Sequence, residues 1–426
     1  MRRRLVQSLA VAVIVAAGAQ PAPAGAQTIE RVTFDDAVRR AVASHPTVQR
    51  AAADILRAEA VLQQTRSRSR PTVDFELATH VIDPVTRFSG SAIVPRTQTV
   101  TTPTIAVPIV SPVRWAERHQ AGDQILVTQR TADDVRRQIA VATGQAYLTV
   151  VAQRRVVELN ERARDNARAH YEYASQRFQG GVGSRLNAVR AEQEVSASEA
   201  RVEEARLAVR RAQEALGVLV GIDGPVDAAA DATFDVPPPS VPDAALVAGR
   251  QDVQLVAARE SAAVRRAADV WKEYLPSVTA LFTPQLVAPA GLFANSRSWR
   301  ASVLFTVPLF DSGQRRGQTR ERQALVDVVR AERAEAERQA GSDIRTAREA
   351  VAATGRALVF ARRAVEQATE VVRITDIAFR EGATTNIEVI DAQRRARDAE
   401  TAAAIAEDAV RRAQLELLTA TGRFPQ

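Results

Sequence analysis

The side chains best placed to do chemistry in this chain are two carboxylates, Glu388 and Asp391. They stand three residues apart just past the turn Phe379-Arg380-Glu381-Gly382-Ala383-Thr384-Thr385-Asn386. At that spacing they share one face of a helix. From their position alone they answer the positive end of a helix dipole. The corresponding turn in the first half of the chain puts Asn187 and Arg190 at the matching sites, so only one turn carries acids. Other candidates fall away. The four histidines, His45, His80, His119 and His170, have no mutual ligand spacing and no cysteine beside them, so neither a metal site nor a cofactor is expected. Nucleophile elbow, Walker loop and dinucleotide fingerprint are all absent from the sequence. Gly180-Gly181-Val182-Gly183 is glycine-rich, but it joins two helical stretches instead of following a strand. No catalytic residue is expected, and the chain does not read as an enzyme.

The elements that position the acidic pair are a helical hairpin from about 344 to 420. Going up, apolar residues recur every seventh position at Ile344, Val351, Leu358, Val365, Val372 and Phe379. Coming down, Val389, Ala396, Ala403, Val410 and Leu417 keep a second register, interleaved with Ala392, Ala399, Ala406, Ala413 and Ala420. Two sevenfold patterns facing each other across a short turn describe an antiparallel coiled coil. Shifted back by 201 residues, the descending pattern recurs as Ala188, Val195, Val202, Val209 and Leu216, and Phe178-Gln179-Gly180-Gly181 matches Phe379-Arg380-Glu381-Gly382. The chain reads as a tandem duplication.

Residues 1–26 combine Arg2-Arg3-Arg4, an apolar run from Leu5 and Ala24-Gly25-Ala26, the pattern of a secretory signal with its cleavage site. The absence of cysteine removes any disulfide framework and any acylation site for a lipid anchor. The formal charge of +7 suggests nucleic acid at first sight. Three of its basic residues leave with the signal, and the arginines alternate with glutamates, as in Arg201-Val202-Glu203-Glu204-Ala205-Arg206. That is a solvated helix face laced with ion pairs, so no nucleic-acid partner is expected.

In chain order, residues 27–221 form a first repeat, 222–242 a linker and 243–426 a second repeat. Each repeat opens with a helix (about 34–69 and 243–274) that stops before Pro71 or Pro276. The period then changes to two. Val73, Phe75, Leu77 and Val81 alternate with Asp74, Glu76 and His80, and Trp299, Val303 and Phe305 alternate with Arg300, Ser302 and Thr306. The strand pairs, about 71–110 and 276–310, have partner strands that contain Pro103 and Pro284. Helices of ~66 residues follow, each ~100 Å long, and the remaining helices are about half that length. Two half-length helices end to end match one long one, giving four struts with strands at one end and turns at the other. Ten-residue strands with one apolar face suit a bilayer. Four strands cannot close a barrel, so insertion requires several copies. The linker, with Pro225 and Pro237-Pro238-Pro239, reads as an extended strap.

This order, the duplication, and the segments Val307-Pro308-Leu309-Phe310-Asp311-Ser312-Gly313, Arg250-Gln251-Asp252 and Phe379-x-x-Gly382-x-x-Thr385-x-x-Glu388-Val389-x-Asp391-Ala392-Gln393 resemble the TolC-like outer-membrane efflux proteins, from about 33 to 422. The resemblance implies a mainly α fold with a small transmembrane β part: long helical hairpins forming an α-barrel, and four strands per chain in a trimeric twelve-strand β-barrel. It implies a homotrimer in the outer membrane of a Gram-negative bacterium, in contact with its lipid and extending into the periplasm. Its partners would be a periplasmic adaptor and an inner-membrane pump of RND or ABC type, and it would form the exit duct of a tripartite efflux system. Two alternatives remain, the outer-membrane part of type I protein secretion and a periplasmic coiled-coil protein without a pore. By the same resemblance Glu388 and Asp391 line the channel constriction, with Phe379 and Thr384 at the positions where the family has an aromatic and an arginine that hold it shut. Phe379 has no hydroxyl and Thr384 no charge, so both depart from the pattern. Gly181, Ser184, Gly382 and Thr385 map to the tips that meet the adaptor.

Overall fold

A computed structural model describes residues 29–236 and 241–424. The expected signal segment and Pro237-Pro238-Pro239 lie outside the described residues. The first elements are β1 Glu30–Val32, α1 Phe34–Ser44, α2 Pro46–Ser67, β2 Thr72–Val81, β3 Arg87–Phe88, β4 Ser91–Ala92, β5 Thr97–Val110, α3 Pro112–Gln179 and α4 Arg185–Val220. There follow β6 Val226–Ala228, α5 Asp243–Gly249, α6 Gln251–Ala268, a 3-10 turn Asp269–Tyr274, β7 Ser277–Ala288, β8 Arg297–Thr306, α7 Gln314–Arg380 and α8 Asn386–Ala420.

Two helices expected to be continuous are broken. The first divides at His45, whose ψ of 130° is extended, because the ring of Pro46 excludes the helical region for the residue before it. The second divides at Arg250, ψ 139°, and its last turn tightens to 3-10 geometry. Arg250 is buried, and its guanidinium pairs with Asp252 at 2.7 Å and with Asp343 of α7 at 3.0 Å. The break is therefore tied to the neighbouring long helix, which accounts for Arg250-x-Asp252.

Helices α2 and α4 both pack on α3, α3 packs on α6 and α8, and α7 packs on α6 and α8. The half-length helices sit end over end, joined where Ser44 Oγ donates to Val220 O at 3.0 Å. The result is a wall of four struts in the order (α2, α4), α3, (α6, α8), α7. The antiparallel sheet has the matching order β2-β5-β7-β8, because each strand continues its strut: β2 follows α2, β5 leads into α3, β7 follows the 3-10 end of α6, and β8 leads toward α7. The two strand pairs expected from the sequence thus join into one sheet through β5 and β7.

Register assigns the two faces. Val73 pairs with Ile105 and Ile105 with Phe282; Phe75 pairs with Pro103, and Pro284 with Trp299. These residues share one apolar face, on which Phe75 and Trp299 are 69% and 72% exposed. Asp74, Glu76, His80, Thr102, Thr283, Ser298 and Arg300 share the other. Pairing between β5 and β7 lapses between Thr101 and Ile105, where Pro103 and Pro284 meet and neither has an N–H to give. Strands β2 and β8 are the sheet's two edges. No helix of the described residues is long and apolar enough to cross a membrane.

The largest buried cluster lies at mid-height. Val32, Leu148, Val150, Leu216, Val226 and Leu415 are each 2% exposed or less. The strap enters it as β6, paired in parallel with β1, Val32 opposite Ala228. Phe34 stands edge-on to Tyr147 at 5.5 Å and to Phe234 at 5.1 Å, and the Tyr147 hydroxyl donates to Ala230 O at 2.7 Å. A Cβ at Gly144 would lie 3.1 Å from Leu415 and 3.2 Å from Phe34, tight enough that these side chains would have to shift by a few tenths of an ångström. Replacing the fully buried Leu216 by alanine should cost about 2–5 kcal/mol, read as a lower unfolding midpoint in detergent; an unchanged midpoint would place the stabilising core elsewhere.

Candidate functional site

Both hairpin turns are built alike. Gly181 and Gly382 have φ of 77° and 78°, the left-handed conformation that favours glycine. At the first turn Val182 N–H donates to Arg177 O and Gly181 N–H to Phe178 O, both at 3.0 Å; at the second, Ala383 N–H donates to Ala378 O at 2.8 Å and Gly382 N–H to Phe379 O at 3.1 Å. These paired bonds satisfy the last carbonyls of the long helices. A Cβ on Gly181 or Gly382 would meet nothing within 4 Å. The glycines are needed for backbone conformation, and they leave an open surface. Ser184 caps α4, its hydroxyl accepting from Leu186 N–H at 3.2 Å. Thr385 caps α8, its own N–H donating to Glu388 Oε2 at 3.2 Å. All four tip residues are solvent-exposed.

The two tips of one chain are fastened to each other. His170 Nε2 lies 2.5 Å from Asn386 Oδ1, and Asn386 Nδ2 donates to Asn187 O at 3.1 Å. His170 and Asn386 are only 7% and 2% exposed. Further up, buried Glu194 of α4 bonds to Arg394 of α8, with Arg201 at 3.3 Å and Arg397 at 3.7 Å. Such buried polar groups hold position only because each is partnered.

The four residues expected at the constriction all lie at or beside the second turn. Glu388 is exposed, and its carboxylate answers the N-terminus of α8, the simpler of the two roles open to it. Asp391 is exposed and paired with Arg395 at 2.8 Å. Thr384 sits half-buried in the turn. Phe379 is 7% exposed, packed between His170 at 5.5 Å and Tyr173 at 5.9 Å, with the Arg177 guanidinium 5.8 Å from its ring. Having no hydroxyl to place in water, the ring fills the space between the two hairpins. The His170–Asn386 pair and Glu194 were not singled out from the sequence. Their partners are 216 and 200 residues away, and the only signal was a polar residue inside an apolar heptad stretch. Among the described residues no His, Cys, Asp or Glu cluster could hold a metal.

The segment between β8 and α7 is a fixed joint. Asp311 accepts from Gly313 N–H at 3.1 Å, Arg315 N–H at 2.9 Å and Arg315 Nε at 2.5 Å, while the Arg315 guanidinium lies 4.6 Å over the Tyr274 ring. The Arg315 side chain and these amides hold the Asp311 carboxyl down at about 2. Leu309 and Phe310, just before it, are 90% and 88% exposed.

Long helical hairpins rising into an open-edged sheet with one apolar face define the architecture of an outer-membrane channel protomer. The chain belongs to the outer membrane efflux protein family, whose model matches residues 37–222 and 243–423. It is a TolC-like outer membrane efflux channel, from a family of channels and not of enzymes. Its fold is similar to that of CusC, a transmembrane channel (TM-score 0.83, 14% identity, 92% of this chain and 93% of that one). VceC, the outer membrane protein from Vibrio cholerae, is similar too (TM-score 0.76, 16% identity, 91% and 96%). So is the open state of the Neisseria gonorrhoeae MtrE outer membrane channel (TM-score 0.77, 16% identity, 92% and 90%). No curated protein sequence matches the chain significantly.

Burial pushes the His170 imidazole below its ordinary 6.5, against the raising effects of the Asn386 bond and the Asp376 carboxylate. A depressed folded value means that the unfolded chain binds the proton first. Tip stability is therefore full above pH 6.5 and falls as the pH drops toward the folded value. The protection of amides in 178–190 and 379–391, taken relative to their intrinsic exchange rates at each pH, should fall across that range. His170→Gln, which keeps a donor for Asn386 and cannot charge, should flatten the dependence; an equal slope in the variant would assign it to another group.

Proposed function

We propose that three copies close into a single duct through which a tripartite system expels small molecules. The observation that carries this reading is the sheet: one apolar face, one polar face and two unpaired edges on the same four strands. In lipid an unpaired edge costs several kcal/mol per polar group, and four strands fall short of the eight that close the smallest membrane barrels. Three copies supply twelve strands and twelve struts. At ~10 Å between helix axes the struts describe a ring about 120 Å round, about 38 Å across, with a lumen of about 28 Å after one helix width is removed. The apolar sheet face meets outer-membrane lipid without a lipid anchor, and the ~100 Å struts reach down through the periplasm.

Residues 27–221 and 243–426 are the two structural repeats of this duct, joined by the strap 222–242. Energy comes from a partner, an inner-membrane pump of RND or ABC type reached through a periplasmic adaptor. The exposed tip residues Gly181, Ser184, Gly382 and Thr385 are the docking points. Bulky replacements at Gly181 and Gly382 should abolish efflux while trimers still reach the outer membrane; unchanged resistance would move the docking site elsewhere.

Glu388 and Asp391 of three copies gather at the narrow end, where they favour cations. The purified protein should conduct in a planar bilayer, with block by a trivalent cation added from the tip side. Asp391→Ala and Glu388→Ala should each weaken that block. Absence of conductance would overturn the duct, whereas equal block in all three proteins would turn these residues away from the lumen.

A further inference from the structure

The first turns of α3 and α7 run against the rule that the positive end of a helix attracts acids. Helix α1 opens with Asp35 and Asp36 and α8 with Glu388, but α3 and α7 have no acid in their first turn. Each carries an arginine at its third position, Arg114 or Arg316, and another at its seventh, Arg118 or Arg320. Both repeats thus place like charges four residues apart at the end of a helix where positive charge is disfavoured. Arg114 donates to Arg68 O at 2.6 Å. Arg118, Arg316 and Arg320 are exposed and have no carboxylate partner among the described residues. The acids at this level are already engaged: Glu117 by Arg68, Asp269 by Lys272, Glu273 by Arg322 and Asp311 by Arg315.

Contacts to neighbouring helices fix where the three arginines point. Arg114 and Glu117 mark the side of α3 that meets α2. Gln120, bonded to Asp269, and Asp123, paired with Arg265, mark the side that meets α6 and its 3-10 end. At about 100° per residue these two sides are about 120° apart, which leaves an arc of about 240° opposite them. In a ring of struts the narrow angle opens on the lumen and the wide arc faces outward. Trp115, 43% exposed, lies about 10° from the middle of that arc and Arg118 about 50°. Helix α7 runs parallel to α3 and meets α6 and its 3-10 end through Arg322, Arg330 and Arg333. Turning from that side in the same sense, its outer face is reached after about 120°, and Arg316 and Arg320 stand at about 85° and 125°.

The apolar face of the sheet lies directly above. Along β8 it runs through Trp299, Val303 and Phe305, and the exposed Val307 and Leu309 continue it to within two residues of Asp311. Counted from Ser111 and Asp311, Arg316 lies about 8 Å, Arg118 about 10 Å and Arg320 about 14 Å below the sheet. The polar layer on each side of a bilayer is about 5–7 Å deep. Helical side chains lean toward the N-terminus of their helix, and α3 and α7 both begin at the sheet. All three arginines therefore lean toward the bilayer, and their long stems bring the charge closer still.

We propose that Arg118, Arg316 and Arg320 bind the phosphate headgroups of anionic phospholipid in the leaflet on the strut side, three arginines from each copy forming a collar around the trimer. The proposal rests on the membrane-inserted trimer above and names what the wall meets where it leaves the bilayer. A guanidinium offers paired donors to phosphate oxygens. Attraction to the lipid surface offsets the dipole and like-charge costs that both repeats carry.

The test uses the protein reconstituted in phosphatidylcholine vesicles with a trace of spin-labelled phosphatidylglycerol or spin-labelled phosphatidylcholine. Lipid at the protein surface appears as a motionally restricted fraction of the spectrum. One arginine beside an anionic surface is worth about fivefold in association. Averaged over all the lipid around the trimer, phosphatidylglycerol should be favoured at least about twofold, and near 1 M salt the preference should fade. Arg118→Gln, Arg316→Gln and Arg320→Gln should each remove part of the preference, and together bring it close to one. Light scattering should find the triple variant assembled as the unchanged protein is, since none of the three side chains has a partner in the chain. Arg338→Gln, at an exposed arginine about 40 Å down α7, should leave the preference intact. A preference that survives the triple change would overturn the collar, as would equal association of the two lipids with the unchanged protein, while membrane insertion would stand. A spectrum without a restricted fraction for either lipid would overturn insertion itself.

Discussion

Everything in this molecule depends on the requirement that backbone N–H and C=O groups have partners in a place without water. Helices meet it internally, but strands β2 and β8 cannot. The edge that would be a liability in a soluble protein becomes the instruction to assemble. That instruction is transmitted down the molecule, because each strand is the direct continuation of a strut and the strut order repeats the strand order. A wall only one helix thick must then do without a thick core. The largest buried cluster is confined to mid-height, where the strap and α1 add a second layer. Away from it, small seam residues such as Ala191, Ala205 and Ala392 let two helices approach closely enough to exclude water between them.

Polar ties take over where the apolar core gives out. At the tips, far from the mid-height cluster, the two hairpins are held by His170 with Asn386 and by Glu194 with its arginines. Buried ionic and polar pairs contribute little net stability compared with apolar packing, but removing one partner is costly. They therefore specify how two otherwise similar hairpins sit against each other. At the opposite end Asp311 and Arg315 do the same for the angle between β8 and α7.

The architecture was legible in the sequence because it is periodic. Sevenfold and twofold patterns name helices and strands without reference to distant residues, and Gly181 and Gly382 mark turns whose φ few other residues tolerate. The breaks at His45 and Arg250 were harder to see. Pro46 signalled the first, whereas the second depends on an ion pair to Asp343, 93 residues on. The candidate site was least legible for the same reason. Phe379 continues the heptad register, and that register predicts its burial without saying which side chains cover it. Its neighbours His170 and Tyr173 come from the other repeat, and no local pattern reports a contact of that range.

The start of α8 illustrates how local partners reset the meaning of a charged pair. Two carboxylates three residues apart suggest two free negative charges, but Glu388 is held by the Thr385 amide and Asp391 by Arg395. Each copy then offers less free negative charge than the residue types imply. The Asp391–Arg395 pair lies in the open, with the two side chains 55% and 77% exposed. An ion pair so exposed is worth roughly 0–1 kcal/mol, too little to keep a multivalent cation from taking the carboxylate. The arginine therefore masks the carboxylate only weakly, and rising ionic strength, which screens the pair, loosens it further.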